Sequence, residues 1–490
     1  MLNTLRYLLF PVLHALGPVL IWYGLTMLVP WTVSLTQEDG ADQAFLYAML
    51  ITFAVGIVMT LGTRRYRLEL TARHGFLLVT LVWTIVPLLA VVPLMLELPQ
   101  YSLAQAYFEM MSCLTTTGAT MMTGLDDLPI SINGWRCFLS WMGGMGLIVL
   151  SVAILPLLGV GGAQIIKAET SGPLKETRLT PRIADTAQAL YLIYLGLSVL
   201  LAVAYHLAGM SWDDAIMHMM TTVSLSGISA HDASFAYFNN PTINMVAVIF
   251  MVICGFNFSL HFAVWHKRNL RLYFRDHEAM CWIFALAMLT AICSVTLLQE
   301  NIYTDPLSAI HVALFSVVSA ASTTGFSTAD WSAWPSALPI LVMLSAAFFS
   351  CAGSTGGGVK MIRLIIAAKV AKREFLRLLH PNAVLPLTIG NSKIDDKIAF
   401  AVVVFLVVWV FSTFGLTIAL LLAGLPMQSA VSAAFACLAN LGPGLGAIGP
   451  AGNYATLTDI QLAICTFAML IGRLEIFTVF AIFTRAFWRI

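Results

Sequence analysis

Four short apolar segments, each ending in a glycine-bearing loop, recur along this chain between much longer apolar runs. The loops read TTTGAT at 115–120, SLSGIS at 224–229, STTGFS at 322–327 and ANLGPG at 439–444. Their shared glycines are Gly118, Gly227, Gly325 and Gly442, spaced by 109, 98 and 117 residues. The segments before them, at 104–115, 212–223, 307–319 and 427–438, hold about 12 residues. That is about 18 Å of helix, too short to cross a bilayer. Each segment must therefore enter and turn back on the same side. Non-helical backbone at membrane depth is tolerated only where protein buries it or where it lines water. Four such loops meeting on one axis satisfy that condition together.

The longer runs predict ten full spans: 8–31, 44–62, 74–97, 136–158, 187–209, 242–265, 279–298, 337–373 (interrupted), 398–424 and 459–486. The chain is 59% hydrophobic and 10% charged over 490 residues, which excludes an ordinary soluble core. The first run has no small-residue cleavage site and reads as a retained helix rather than a signal peptide. Net charge is only +1, so nothing points to nucleic acid. Its distribution is more telling. Lys and Arg concentrate in loops 63–73, 159–186, 266–278 and 374–397 and at the chain ends, while Asp and Glu occupy the alternate loops. The positive-inside rule then puts both termini in the cytoplasm, as an even number of spans requires. The half-spans start from acidic loops, so their glycine loops open outward.

The expected fold class is an all-α integral membrane protein with four pseudo-symmetric repeats of helix, half-helix, glycine loop and helix. Residues 1–70 form two accessory helices, followed by repeats at 71–165, 166–275, 276–390 and 391–490. Glycine at a loop where half-helix C-termini converge lets backbone carbonyls turn inward and replace an ion's water shell. The predicted ion-binding carbonyls are those of Thr116, Thr117 and Gly118; Leu225, Ser226 and Gly227; Thr323, Thr324 and Gly325; and Asn440, Leu441 and Gly442. Side chains differ between the loops while Gly persists, as expected when carbonyls bind the ion. No Asp or Glu sits in the four loops, which disfavours a divalent cation. For any one loop the plainer alternative is close helix packing by a small residue. Recurrence at four matched places favours a pore.

The strings TTTGAT, SLSGISAHDAS (224–234), STTGFSTADW (322–331) and ANLGPGLG (439–446) resemble the Trk/Ktr/HKT superfamily of potassium transporters, most closely its bacterial TrkH/TrkG branch. The resemblance covers all four repeats, and the two leading helices fit the Trk branch better than the Ktr branch. It implies potassium as the transported ion, uptake across the bacterial inner membrane, a homodimer, and a cytosolic nucleotide-binding regulatory subunit of the TrkA type. No organic cofactor is implied. Sodium-passing plant relatives often carry Ser at the first filter position, so Gly118 favours potassium. A proton- or sodium-coupled potassium symporter is the alternative. It would need a second ion site, and no intramembrane acid is well placed beside a filter.

Inside the interrupted span lies SCAGSTGGGVK at 350–360, with Gly353, Gly356, Gly357 and Gly358 close together. Each Gly costs about 1 kcal/mol in a helix interior, so the span should break here. An intramembrane loop below the filter would block ion flow when closed, and the resembling family has its gate at such a loop. A kinked helix packed on a neighbour is the bland alternative. The G-x-x-x-x-G-K-[ST] phosphate loop is not matched. Lys360 borders the loop, as anchor or as an interfacial lysine. Arg473, within IGRLEIF in the last span, is a costly charge at membrane depth. It reads as a fixed positive barrier beside the path, or as half of an ion pair with another helix; Arg occupies this place in the resembling family too.

Glu109 is the one acid in a half-helix near a filter, and bracing of the loop from behind is the expected role. His218, His231, His261 and His311 lack ligand spacing, and the eight cysteines read as buried small hydrophobes. No nucleophile elbow, H-E-x-x-H or dinucleotide fingerprint appears, so no enzyme is expected. The basic segments 167–182, 267–275 and 363–377 are candidate docking sites for a regulator, against the simpler explanation of loop retention by anionic lipid.

Overall fold

A computed structural model describes residues 2–67, 70–149, 183–390 and 392–488. Among these, six stretches are helical, long and apolar enough to span a bilayer: Arg6–Gln37, Asp42–Gly62, Arg73–Glu97, Ala187–Leu207, His277–Gln299 and Asp396–Leu422. Only 22% of the most apolar window of Asp396–Leu422 is buried by protein, and Val407, Phe411 and Phe414 point outward. A helix that is apolar on every side with so little protein cover is solvated by lipid.

The four half-helices are Leu103–Leu114, Trp212–Val223, Pro306–Ala321 and Met427–Ala439. They sit in the middle of the molecule, wrapped by the spans, and from Ser429 onward the fourth is almost wholly buried. Capping explains where the first three begin. Ser102, Ser211 and Asp305 accept the N–H of Gln105, Asp214 and Ser308, satisfying donors that a helix leaves open at its start. The fourth follows Pro426 without a side-chain cap.

Two spans expected as continuous are instead sharply broken. Helices Pro241–Gly255 and Phe258–Lys267 meet at 89°, and Asp459–Arg473 and Ile476–Phe483 at 112°. At the first break Phe256 closes one helix and Asn257 caps the start of the next. Its Oδ1 accepts from Ser259 N at 2.8 Å, while Phe258 N donates to Gly353 O at 3.0 Å. At the second, Glu475 takes a left-handed φ of 57° and its carboxylate accepts from Arg363 Nη2 at 2.7 Å. Both breaks are thus sustained by groups around the glycine-rich segment, in line with the rule that freed backbone groups in a membrane need internal partners. The first span also divides, into Leu2–Thr26 and Leu28–Gln37.

The interruption of 337–373 is present: Leu338–Phe348 and Met361–Leu379 flank a non-helical stretch. A two-stranded hairpin, Thr388–Ile389 with Ser392–Lys393, follows as the one addition to an otherwise helical fold among the described residues. The end of the expected span 136–158 and the basic segment 167–182 lie outside the described residues. Its helix runs over Ile130–Val149.

Candidate functional site: four filter segments and the loop beneath them

Each half-helix ends in the same way. Thr117 N bonds to Ser112 O, Ser226 N to Thr221 O, Thr324 N to Ser319 O and Leu441 N to Ala436 O, at 2.9, 2.9, 2.9 and 2.8 Å. This reach back over five residues is the Schellman closure of a helix C-terminus, which calls for a left-handed residue one position earlier. Those residues are Thr116, Leu225, Thr323 and Asn440, with φ of 51°, 54°, 60° and 53°. Asn tolerates this conformation, but a β-branched Thr or a Leu is strained in it. Two residues on, Gly118, Gly227, Gly325 and Gly442 are left-handed again, at 80°, 69°, 88° and 91°. Alternating handedness turns successive carbonyls toward the same side of a strand. The same left-handed turn thus recurs four times in register and is strained in three of them, at Thr116, Leu225 and Thr323.

The four segments close into a ring. A Cβ built on Gly118 would strike Ser226 O, one on Gly227 would strike Thr324 O, and one on Gly325 would strike Leu441 O. One on Gly442 would lie 2.6 Å from Thr117 O. Each contact runs to the residue before the next glycine, and the fourth returns to the first. The structure therefore brings the predicted filter residues together around one axis, in chain order. Space as well as φ demands glycine at these positions. Above them opens a cavity of about 320 Å³ lined by Gly118, Gly227, Gly325, Gly442, Arg136 and His231.

Polar groups hold the segments from behind. Glu109, fully buried, accepts from Thr120 Oγ1 at 3.0 Å and from Met121 N at 3.0 Å, so it braces the first loop. Tyr454 donates its hydroxyl to Gly442 O at 2.8 Å, and Tyr454 N donates to Thr120 O at 2.9 Å. Sequence reasoning missed Tyr454, and it missed Arg136, whose guanidinium meets the Glu109 carboxylate at 2.7 Å. A buried Arg in a helix with a buried Glu elsewhere was the available signal.

The glycine-rich stretch lies against the inner ends of three half-helices. Thr355 Oγ1 donates to Val223 O at 3.1 Å, and Gly357 N donates to Thr323 Oγ1 at 2.7 Å. A Cβ on Gly356 would lie 2.8 Å from Ser322 O, and one on Gly357 would overlap Ala439 O. The loop thus packs against the ends of the second, third and fourth half-helices, next to the ring. Gly353 and Gly358 are left-handed, at 69° and 77°. Lys360, itself at φ 80°, donates its ammonium to Gly356 O and so folds the loop back on itself. Glu278, from a neighbouring span, accepts from Ala352 N at 2.7 Å and Ile362 N at 3.1 Å, pinning both ends of the loop.

Arg473 is 3% exposed. Its Nη1 donates to Thr355 O at 3.0 Å, and its guanidinium lies 5.8 Å from the centre of the Trp83 ring. Among the described residues no carboxylate comes within 4.0 Å of it, so the alternative of an ion pair with another helix is not seen there. Glu475, close in sequence, is paired with Arg363 instead. Arg363 is 2% exposed, which removes it from the basic surface expected over 363–377.

The histidines have structural partners. His218 reaches Asp214 O and Ser229 Oγ at 2.9 and 3.0 Å, and His261 reaches Ile253 O at 2.9 Å. His231, in the loop after the second filter segment, bridges Asp214 and Asp126. Burial opposes its charge, but the two carboxylates outweigh that and hold its pKa above the ordinary histidine value. His311 lies 3.4 Å from Asn244 Nδ2.

Residues 41–489 match the profile of the TrkH family, described as cation transport protein. The Trk system potassium uptake protein TrkH of Halomonas elongata is 46% identical over 479 residues, covering 98% of this chain and 99% of that one. Its Escherichia coli K12 counterpart is 43% identical over 474 residues, covering 96% and 98%. The crystal structure of the potassium transporter TrkH from Vibrio parahaemolyticus superposes with a TM-score of 0.90 at 40% identity, covering 98% of this chain and 99% of that one. The likeness therefore spans the accessory helices, the four half-helices and the glycine-rich loop alike, and the chain belongs to the TrkH family of cation transport proteins, as a multi-pass membrane transporter and not an enzyme.

Proposed function

We propose that this chain is a potassium-selective uptake pore of the bacterial inner membrane, with both termini in the cytoplasm. The observation that carries it is the closed ring in which each filter glycine abuts the carbonyl before the next: Ser226, Thr324, Leu441 and Thr117. Carbonyl rings replace the hydration shell of a monovalent cation. The inner ends of four half-helices, partly negative, converge under the same point. The Thr116 and Ser226 hydroxyls, in the same segments, are buried with no hydrogen-bond partner among the described residues. Entry is driven by the membrane potential, worth about 2.3 kcal/mol per charge at 100 mV. Coupled symport finds no support around the filter, since the Glu109 carboxylate is taken up by Arg136, Thr120 and Met121.

In this proposal the loop 350–360 is the gate in its closed position, held by Lys360, Glu278 and Arg473. The pore works as a homodimer, and a cytosolic nucleotide-binding regulator of the TrkA type pulls on Met361–Leu379, which leaves the loop as one continuous helix. The test is ion flux into vesicles containing the purified protein, with Gly118, Gly227, Gly325 and Gly442 each replaced by Ser. Potassium over sodium permeability should fall in the variants. Unchanged ratios in all four would refute the filter assignment.

A further inference from the structure

Nine residues before each filter glycine and two after it, the four repeats carry different pairs: Glu109 and Thr120, His218 and Ser229, Ser316 and Ser327, Ala433 and Gly444. In the first pair a carboxylate takes the hydroxyl at 3.0 Å; in the second an imidazole meets it at 3.0 Å. In the third the Ser316 hydroxyl has no partner among the described residues, and the fourth pair has no polar side chain. The support behind the filter is therefore strong in repeats one and two and weak at these positions in three and four.

Arg136 joins the two strong members. Its Nη2 and Nε donate to Glu109 Oε1 at 2.7 and 2.9 Å, and Nη2 also reaches Thr120 Oγ1 at 3.2 Å. Its Nη1 donates to Ser229 O at 3.1 Å and to Asn133 Oδ1 at 3.0 Å. One planar guanidinium thus holds the same position of two adjacent filter segments, two residues beyond each glycine. Arg136 and Glu109 are both 0% exposed. A buried ion pair returns little net stability over an apolar pair of the same size. It does fix geometry, and Lys, a point charge on a flexible stem, cannot reproduce this fork.

We propose that Arg136 is a positioning residue for selectivity, clamping the filter segments of repeats one and two to each other so that Thr117 O and Ser226 O keep the separation that suits potassium. The proposal rests on the potassium-pore function above. The test is the potassium-to-sodium permeability ratio in vesicles, measured on protein purified as a folded species. Three variants are compared with the unmodified chain: Arg136→Lys keeps the charge without the fork, Glu109→Gln/Arg136→Gln keeps the site neutral, and Thr120→Val removes one shared hydroxyl and is mild enough to fold. The first two should lower the ratio by about tenfold, with a smaller loss for Thr120→Val, because an ion site loosens when its supporting shell is lost. Folded variants whose ratios all stay within about twofold of the unmodified chain, where a loose filter would admit sodium, overturn the role of Arg136 alone. An unmodified chain that does not favour potassium overturns the pore proposal, and the positioning role falls with it.

Discussion

Arg473 Nη1 donates to the carbonyl oxygen of Thr355 at 3.0 Å, so the buried cation of the last span is held by the backbone of the loop lying next to the filter ring. The contact ties together two features that stand more than a hundred residues apart in the chain. Replacing Arg473 by Ala removes the hold on the loop and, in the proposed pore, a positive charge beside the cation path. Basal flux without a regulator should rise about tenfold, the effect of lowering a barrier by about 1.4 kcal/mol. Vesicle flux decides it; equal or lower flux in folded Arg473→Ala protein counts against the gate.

Glu278 makes a separate prediction about the same loop. Its carboxylate receives the N–H groups of Ala352 and Ile362. Hydrogen bonds to a charged group are worth about 1.5–3 kcal/mol each, so Glu278→Ala should loosen the loop at both ends. Higher basal flux and faster amide exchange at residues 350–362 are expected. Glu278→Gln, which keeps an acceptor oxygen, should retain most of the closure. Identical exchange in Glu278→Ala and the unmodified chain would exclude the pinning role.

The rim of the cavity at the ring should respond to pH through His231. Its pKa lies above the ordinary value because Asp214 and Asp126 outweigh the cost of burial. A raised folded-state pKa means the contribution is complete below the unfolded value and is lost as pH rises through the folded one. Thermal stability should therefore be higher near pH 6 than near pH 9, with at most about one proton involved. His231→Gln should flatten that part of the profile. A His231→Gln profile parallel to that of the unmodified chain would show that other groups carry it.

Regulator docking on Met361–Leu379 can be tested by reversing Lys372, Arg373 and Arg377. Arg373 already pairs with Asp396 and Glu374, and Arg377 with Glu374, so part of this charge is engaged within the chain. Exposed pairs of this kind are worth at most about 1 kcal/mol and yield readily to a partner. The triple reversal should weaken co-purification of a TrkA-type subunit and leave the potassium-to-sodium ratio unchanged. Undiminished co-purification would move the docking site elsewhere.

Much of this architecture was legible in the chain because length and polarity act locally. A half-span expected at 104–115 is Leu103–Leu114, and one expected at 427–438 is Met427–Ala439. About twelve mostly apolar residues followed by a glycine loop have few other places to go in a bilayer. The four glycines were legible for the same reason. The left-handed turns at Thr116 and Leu225 were not, since local preference runs against them and only the assembled ring imposes them. The break at Asn257 carried a weak cue in its capping side chain, whereas the one at Glu475 depends on Arg363, which is more than a hundred residues earlier. Arg136 left a cue, a charge inside an apolar span, but its reach to Ser229 in the next repeat could not be read from the chain. Tyr454 left no cue because it joins Gly442 to Thr120 across repeats.

The proposed pore requires that the ring of Gly118, Gly227, Gly325 and Gly442 bind and select potassium. Anomalous diffraction from crystals grown in rubidium or thallium salts measures this directly. Axial density is expected within the carbonyls of Thr117, Ser226, Thr324 and Leu441, displaced by excess potassium and not by equal sodium. An axis free of density at the ring, or density displaced equally by both ions, would contradict it.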